Sequence, residues 1–460
     1  MKHLVLIGAV LNLFFGCERP SNVVDAAAPI GIFDSGTGGL TVMEAIVTLD
    51  LFNNATGEEG PDGICDFAGE SFIYLADQAN MPYGNYASEN KTDYLRELIV
   101  QDALFLMGRR YYANDTSKYA SYDKEPVKAI VIACNTATAT GLNDVEDLLE
   151  KSQTGIAALG VIYAGAKGAL ESLCKEESGV IGVMATVGTI KTGGYERAIK
   201  EMAKELGYSG VLQVVSQPAM GFAEAVDQEP DFVLRSASQP RINYRGPALN
   251  HVDYPIDPNL LHAYHFDFSN NGMLYTKSSG AYTQLQLNAA QNFARYHLLS
   301  LVEKLRTMPH PQPLKVLIMG CTHYPYYRET LLTMLQELRR YHINGDFPYR
   351  DLIAEEVVLV DPAIHTAKGL YVLLRQQKLL TQRKGGNRAS FYITVPNRDL
   401  PGVELEGPRR FTYDYKYGRE PNSQLEYVKT VPFSSHNIDR EVLDRLSVMV
   451  PVTFSLISNL

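Results

Sequence analysis

Cysteine is scarce in this chain, with five residues, Cys17, Cys65, Cys134, Cys174 and Cys321, among 460. Their number is odd and their spacing fits no metal-ligand pattern, so neither a disulfide framework nor a thiolate metal centre organises the fold. Positive charge is also short, with 42 Lys and Arg against 52 Asp and Glu and a formal net charge of −10. That balance argues against a nucleic acid or an anionic membrane surface as the main partner. An acidic small molecule would need a local pocket of cations or amides. No apolar run reaches the ~20 residues that a membrane-spanning helix requires. Residues 4–15 come nearest, but Asn12 breaks them and they end in Gly16-Cys17. With Lys2 ahead of it, this stretch reads as a secretory leader, and Gly before Cys suits a lipoprotein signal whose Cys is acylated. The expectation is export and a lipid anchor at Cys17, facing the periplasm or cell surface, with residues 18–28 as a tether. A cytoplasmic protein is the alternative. The remainder is ordinary globular sequence, 45% hydrophobic and 20% charged, and long enough for two or three domains.

Two of the cysteines sit in stretches that echo each other, Ala133-Cys134-Asn135-Thr136-Ala137-Thr138 and Gly320-Cys321-Thr322-His323-Tyr324-Pro325. Ala129-Ile130-Val131-Ile132 precedes the first and Val316-Leu317-Ile318-Met319 the second, each an apolar run of β type, and each stretch leads into a helix-like segment. Both thiols therefore fall at carboxyl ends of strands, where open α/β sheets bind ligands. The hydroxyl and amide side chains that follow suit helix N-caps and anion donors. A thiol with an unperturbed pKa of about 8.5 becomes a workable acid-base group once helix N-terminal amides or polar donors favour its thiolate. One thiolate and one thiol facing one crevice can take a proton from one face of a carbon and return it to the other. A single such cysteine reads as a buried structural residue; the repeated context points to chemistry. A third stretch, Ile30-Gly31-Ile32-Phe33-Asp34-Ser35-Gly36-Thr37-Gly38-Gly39-Leu40, is a short strand and a Gly-rich turn. It lacks both the Lys-Ser/Thr ending of a P-loop and the spacing of a dinucleotide fingerprint.

Together these three stretches resemble glutamate racemases, cofactor-independent members of the aspartate/glutamate racemase superfamily. Tyr74-Leu75-Ala76-Asp77 with Met81-Pro82-Tyr83-Gly84, and Ala185-Thr186-Val187-Gly188-Thr189-Ile190-Lys191-Thr192-Gly193-Gly194-Tyr195-Glu196, add further matches in the family's order. The resemblance implies two Rossmann-like α/β domains with mostly parallel sheets and an active site in the interdomain cleft. It implies inversion at Cα of glutamate by 1,1-proton transfer between Cys134 and Cys321, with no pyridoxal phosphate, other cofactor or metal, supplying D-glutamate for peptidoglycan. Asp34 would assist the first thiol and His323 the second. Ser35, Asn135, Thr136, Thr186, Thr189 and Thr322 would hold the substrate, and the Pro82-Tyr83-Gly84 loop would cover it. Glu224 aligns with a family acid beside the second thiol; a solvated helix residue is its other reading. An aspartate or broader amino-acid racemase, or a surface lipoprotein using the fold as a binding module, are the alternatives. A homodimer is a candidate assembly.

The expected division is a leader at 1–17, a tether at 18–28, a first domain of 29–160 plus 355–380, a second of 161–354, and an extension at 381–460. Residues 53–70 and 109–126 read as polar insertions. Residues 227–284, rich in Tyr, Pro, Asn and His, lie outside the resemblance and suggest a lid or partner surface. His262, His265 and Asp267 there have the spacing of a partial metal site but read as surface and packing residues. A long helix is predicted over 285–306. Alternation of Phe411, Tyr413, Tyr415 and Tyr417 predicts a strand in the extension.

Overall fold

The computed structural model describes residues 24–381, 383, 385–422 and 426–457; the expected leader, with Cys17 and most of the tether, lies outside the described residues. Strands form where apolar, often branched, residues run together. Along the chain these are β1 (Ile30–Asp34), β2 (Ser71–Ala76), β3 (Ala129–Ile132), β4 (Ala157–Gly160), β5 (Gly179–Ala185), β6 (Leu212–Pro218), β7 (Met273–Ser278), β8 (Ala281–Leu287), β9 (Leu314–Gly320), β10 (Ile353–Val360), β11 (Arg388–Pro396) and β12 (Val428–Pro432). They belong to two compact α/β units. The first takes the chain up to Val161 and again from Ala363, and the second is Ile162–Pro362.

The first unit carries a sheet in the order β12-β11-β2-β1-β3-β4, parallel except for β12, which runs antiparallel to β11. β1 and β3 are buried at every residue, as expected of parallel strands covered on both faces. One face packs against the helices Leu40–Val47 and Pro362–Gln376, the other against Thr92–Met107 and Asn135–Ser152. Below the sheet, Lys128 and Glu70 form a buried ion pair at 2.6 Å, with 0% and 2% of the side chains exposed. Lys128 Nζ also donates to Ala26 O and Leu379 O at 2.8 Å, so one ammonium ties three separate segments together. Burial pushes the Glu70 carboxyl up and the Lys128 amine down, each shift opposed by the partner's charge.

The second unit has an all-parallel sheet, β10-β9-β5-β6, and the separate hairpin β7-β8. Residues 227–284 are not a free lid, because Ile256, Ala263, Tyr264 and Met273 are buried in the same core as Leu299 and Val302 of the helix Ala290–Arg306. That helix is shorter than the predicted 285–306, since Leu285–Leu287 belong to β8. Residues 358–360 pair with β9 in the second sheet, and the chain returns to the first unit at Ala363. The carboxyl-terminal extension is part of the first sheet: β11 pairs along β2 from Arg388↔Ser71 to Ile393↔Ala76. Tyr413–Gly418 is a helix, not a strand, because the Thr412 side chain caps it by accepting from Tyr415 N. Among the described residues no helix is long and apolar enough to cross a membrane.

Candidate active site

β1 delivers Asp34 to the carboxyl end of the first sheet. There Asp34 Oδ2 accepts from Gly36 N at 3.1 Å and Gly39 N at 3.0 Å, so the Gly-rich turn folds around the carboxylate. A Cβ on Gly39 would lie 2.5 Å from Asp34 Cβ and 2.9 Å from Tyr74 Oη, which is why glycine is needed there. Tyr74 Oη fixes the turn from the other side by donating to Gly36 O at 2.7 Å.

The neighbouring strand β3 delivers Cys134. Its extended backbone (φ −79°, ψ 122°) makes it the N-cap of the helix Asn135–Ser152, and its sulfur accepts from Ala137 N at 3.5 Å. A sulfur in that position faces the positive end of an eighteen-residue helix, which favours negative charge on it. Ser35 Oγ lies 3.8 Å from Cys134 Sγ and accepts from it. Asn135 and Thr136 are buried in the first turn beside it. Asp34, Ser35 and Cys134 thus stand together at the ends of adjacent strands of the first unit.

Tyr83 takes a different place from the one expected. Its side chain is 1% exposed, and its hydroxyl is 2.5 Å from Asp77 Oδ2 and 2.7 Å from Asp102 Oδ2. A hydroxyl has one proton to give, so two carboxylates around it require a second. Burial, reinforced by the Asp77 charge, holds Asp102 well above the ordinary carboxylate range. The two carboxylates together hold the Tyr83 hydroxyl inside the fold. The ring anchors the loop from inside, with its hydroxyl turned toward Asp77 and Asp102. Pro82 and Gly84, both partly exposed, flank it.

In the second unit a separate cluster stands at the ends of β5 and β9, paired through Ala185↔Gly320. Thr186 caps the short helix Val187–Lys191, accepting from Thr189 N at 3.3 Å with the two threonine hydroxyls 3.0 Å apart. Cys321 Sγ is 3.5 Å from His323 Nδ1, and His323 Nε2 is 2.9 Å from Asp227 Oδ2. Thr322 Oγ1 also reaches Nδ1, at 3.4 Å. Burial disfavours the imidazolium, but the charges of Asp227 and Cys321 outweigh it and raise His323 well above its ordinary 6.5. The result is a line from the Asp227 carboxylate through the His323 ring to the Cys321 sulfur.

Asp227 escaped the sequence reading. It caps the helix Phe222–Val226 at the point where family likeness fades, and its partner is 96 residues away. Its one local signal is an acid one helical turn beyond Glu224. Glu224 itself lies near His323 but does not bond to it, and burial together with the Glu229 charge pushes its carboxyl up to about 7. Among the described residues no group of three or more acidic, His or Cys side chains could hold a metal. Asp267 is engaged by Ser269 N at 2.8 Å and Gln291 Nε2 at 2.5 Å, and His265 faces Glu337.

No family model matches the chain. It is 30% identical over 205 residues to a glutamate racemase of Stutzerimonas stutzeri, covering 45% of this chain and 58% of the relative. A glutamate racemase of Chlorobaculum tepidum is 34% identical over 187 residues, with 41% and 53% covered. The chain thus spans little more than half the length of these two relatives. A longer alignment, 24% identical over 366 residues, reaches a glutamate racemase of Levilactobacillus brevis and covers 80% of this chain and 86% of that one. Among solved structures, a glutamate racemase isoform from Bacillus anthracis matches with 21% identity and a TM-score of 0.45, covering 79% and 87% of the two chains. That of Francisella tularensis in complex with D-glutamate matches with 21% identity and a TM-score of 0.44, over 86% and 95%. The resemblance to glutamate racemases drawn from the motifs is borne out by the curated relatives.

Proposed function

We propose that this relative of glutamate racemases interconverts L- and D-glutamate by moving the Cα proton between Cys134 and Cys321. The observation that carries the reading is that each of the two strand-end thiols has its own polar neighbour: Ser35, next to Asp34 in the chain, for Cys134, and His323 backed by Asp227 for Cys321. Inversion at carbon needs a base on one face and an acid on the other, because a single group returns its proton to the face it came from. Two thiols satisfy that need without a cofactor, one as thiolate and the other as thiol, exchanging roles in the reverse direction. In the relatives' family the first thiol acts on the D-enantiomer and the second on the L-enantiomer, and the same assignment is carried over here.

The charge that builds on the α-carboxylate needs donors already in place. The first-turn amides after Cys134, Asn135, Thr136, Thr186 and Thr322 offer neutral donors for it and for the distal carboxylate. Supply of D-glutamate for peptidoglycan is the physiological role that follows. The test is racemisation and Cα–H exchange in D2O under reducing conditions, with Cys134→Ala and Cys321→Ala beside the unsubstituted chain. Each variant is expected to abolish racemisation, and one that racemises at the unsubstituted rate would exclude the two-thiol mechanism.

A further inference from the structure

The loop that follows β2 is held by a part of the chain outside the recognised motifs. Thr394 on β11 donates to Asp77 Oδ1 at 2.7 Å and accepts from Ala79 N at 3.0 Å. Arg419 lies over the Tyr427 ring at 4.0 Å and donates from Nη2 to Asn80 Oδ1 at 2.8 Å. Lys416, on the helix Tyr413–Gly418, donates from Nζ to Met81 O at 2.6 Å. Residues of the extension therefore grip positions 77, 79, 80 and 81, partly through the main chain, where the grip does not depend on the loop's own side chains.

The gripped loop lies against the turn that holds Asp34. A Cβ on Gly36 would sit 2.5 Å from Met81 Sδ and 3.2 Å from Gln78 Oε1, and Asp77 N donates to Asp34 O at 2.9 Å. Gly36 follows Ser35, the residue whose hydroxyl meets Cys134 Sγ. A continuous path thus runs from Lys416 through Met81 and Gly36 to the first thiol, all within one unit.

We propose that Lys416, backed by Thr394 and Arg419, is a positioning residue for the Cys134 half-site, holding the Ser35-Gly36 turn against the thiol through residues 77–81. Its effect on rate rests on the two-thiol reading, whereas its effect on Cys134 itself does not. A displacement of about 1 Å at a reacting group can cost on the order of a hundredfold in rate, so a loosened main-chain clamp is measurable.

The experiment uses the full chain with Lys416→Met and Lys416→Arg. Alkylation of Cys134 by iodoacetamide is followed by peptide mass spectrometry, with exposed Cys174 in the same molecule as the internal reference. Lys416→Met is expected to raise the Cys134-to-Cys174 rate ratio about fivefold and to lower kcat/KM about tenfold, with Tm within a few degrees of the unsubstituted chain and Lys416→Arg restoring both quantities. An unchanged ratio in a folded Lys416→Met chain, or a changed one that Lys416→Arg does not restore, overturns the proposal. Should Lys416→Met not fold, Thr394→Val is read by the same ratio. A changed ratio in a chain that never exchanges the Cα proton supports the positioning role and removes the racemase reading.

Discussion

Replacing Asp227 by Asn keeps the size and reach of the side chain but removes a charge 2.9 Å from His323 Nε2. In the native chain, burial opposes the imidazolium, and Asp227 and Cys321 together overcome it. In Asp227→Asn, burial meets only Cys321, and the His323 pKa falls. The two side chains are 13% and 17% exposed, so water screens them only in part. The charge-assisted hydrogen bond is then worth about 1.5–3 kcal/mol. If that interaction is made in the transition state, its loss lowers kcat/KM by roughly ten- to a hundredfold. Enantiomers have equal free energy, so the loss in kcat/KM must be identical in the two directions, although kcat and KM separately are free to differ. The pH dependence has a definite sign. A raised folded pKa gives stability that is complete below the unfolded pKa of about 6.5 and is lost as pH rises through the folded value. Asp227→Asn should therefore be destabilised near pH 6 and approach the unsubstituted chain at high pH, and the alkaline limb of its pH–rate profile should move toward lower pH. Racemisation across pH and urea unfolding at about pH 6 and about pH 10 measure both effects. A variant with unchanged kcat/KM and an unshifted alkaline limb would refute the relay.

Gly39→Ala should lower racemisation and stability together, because its Cβ meets Asp34 Cβ at 2.5 Å; a folded variant with full activity would show that the turn yields easily. Lys128→Met leaves the Glu70 carboxyl buried without its partner, and a loss of about 3–5 kcal/mol is expected in urea unfolding at neutral pH, whereas a loss below about 1 kcal/mol would mean that Glu70 simply takes up a proton. Glutamate should exceed aspartate by at least about tenfold in kcat/KM, since neutral donors placed for a distal carboxylate lose it when it moves by one methylene. Equal rates on both would withdraw the substrate assignment and leave the thiol chemistry standing.

What was legible in the sequence is what depends on neighbours along the chain. β1, β3, β5 and β9 are short apolar runs that end at or just before Asp, Cys, Thr or Gly, and such runs carry their own signal. Cys134 and Cys321 were legible because each follows such a run by one or two residues. The cap made by Thr186 and the closeness of His323 to Cys321 are local in the same way. Two of the misses are long-range. Tyr83 looked like a loop residue free to meet a substrate, and the carboxylate that draws it inward, Asp102, lies 19 residues further along on another element. Asp227 finds His323 only through the sheet that brings residues 96 apart together. In the extension, alternating aromatics resembled one face of a strand, but the Thr412 cap turns Tyr413–Gly418 into a helix, and spacing alone did not reveal it.

The order of the first sheet has a consequence for how the protein is made. Ribosomes deliver β2 early, yet its outer neighbour β11 comes only after the whole of Ile162–Pro362 has been synthesised. At about 5–20 residues per second, the nascent chain carries β2 with bare main-chain donors and acceptors for on the order of tens of seconds. Phe72 and Tyr74, both nearly fully buried in the finished fold, flank that open edge and make it a template for other strands. Newly made chains should therefore depend on chaperones during this interval. A chain stopped before Arg388 is expected to self-associate through β2 while its second unit, continuous in the sequence, still closes on its own. Sedimentation of the shortened chain as a monomer would show that β2 is shielded by other means.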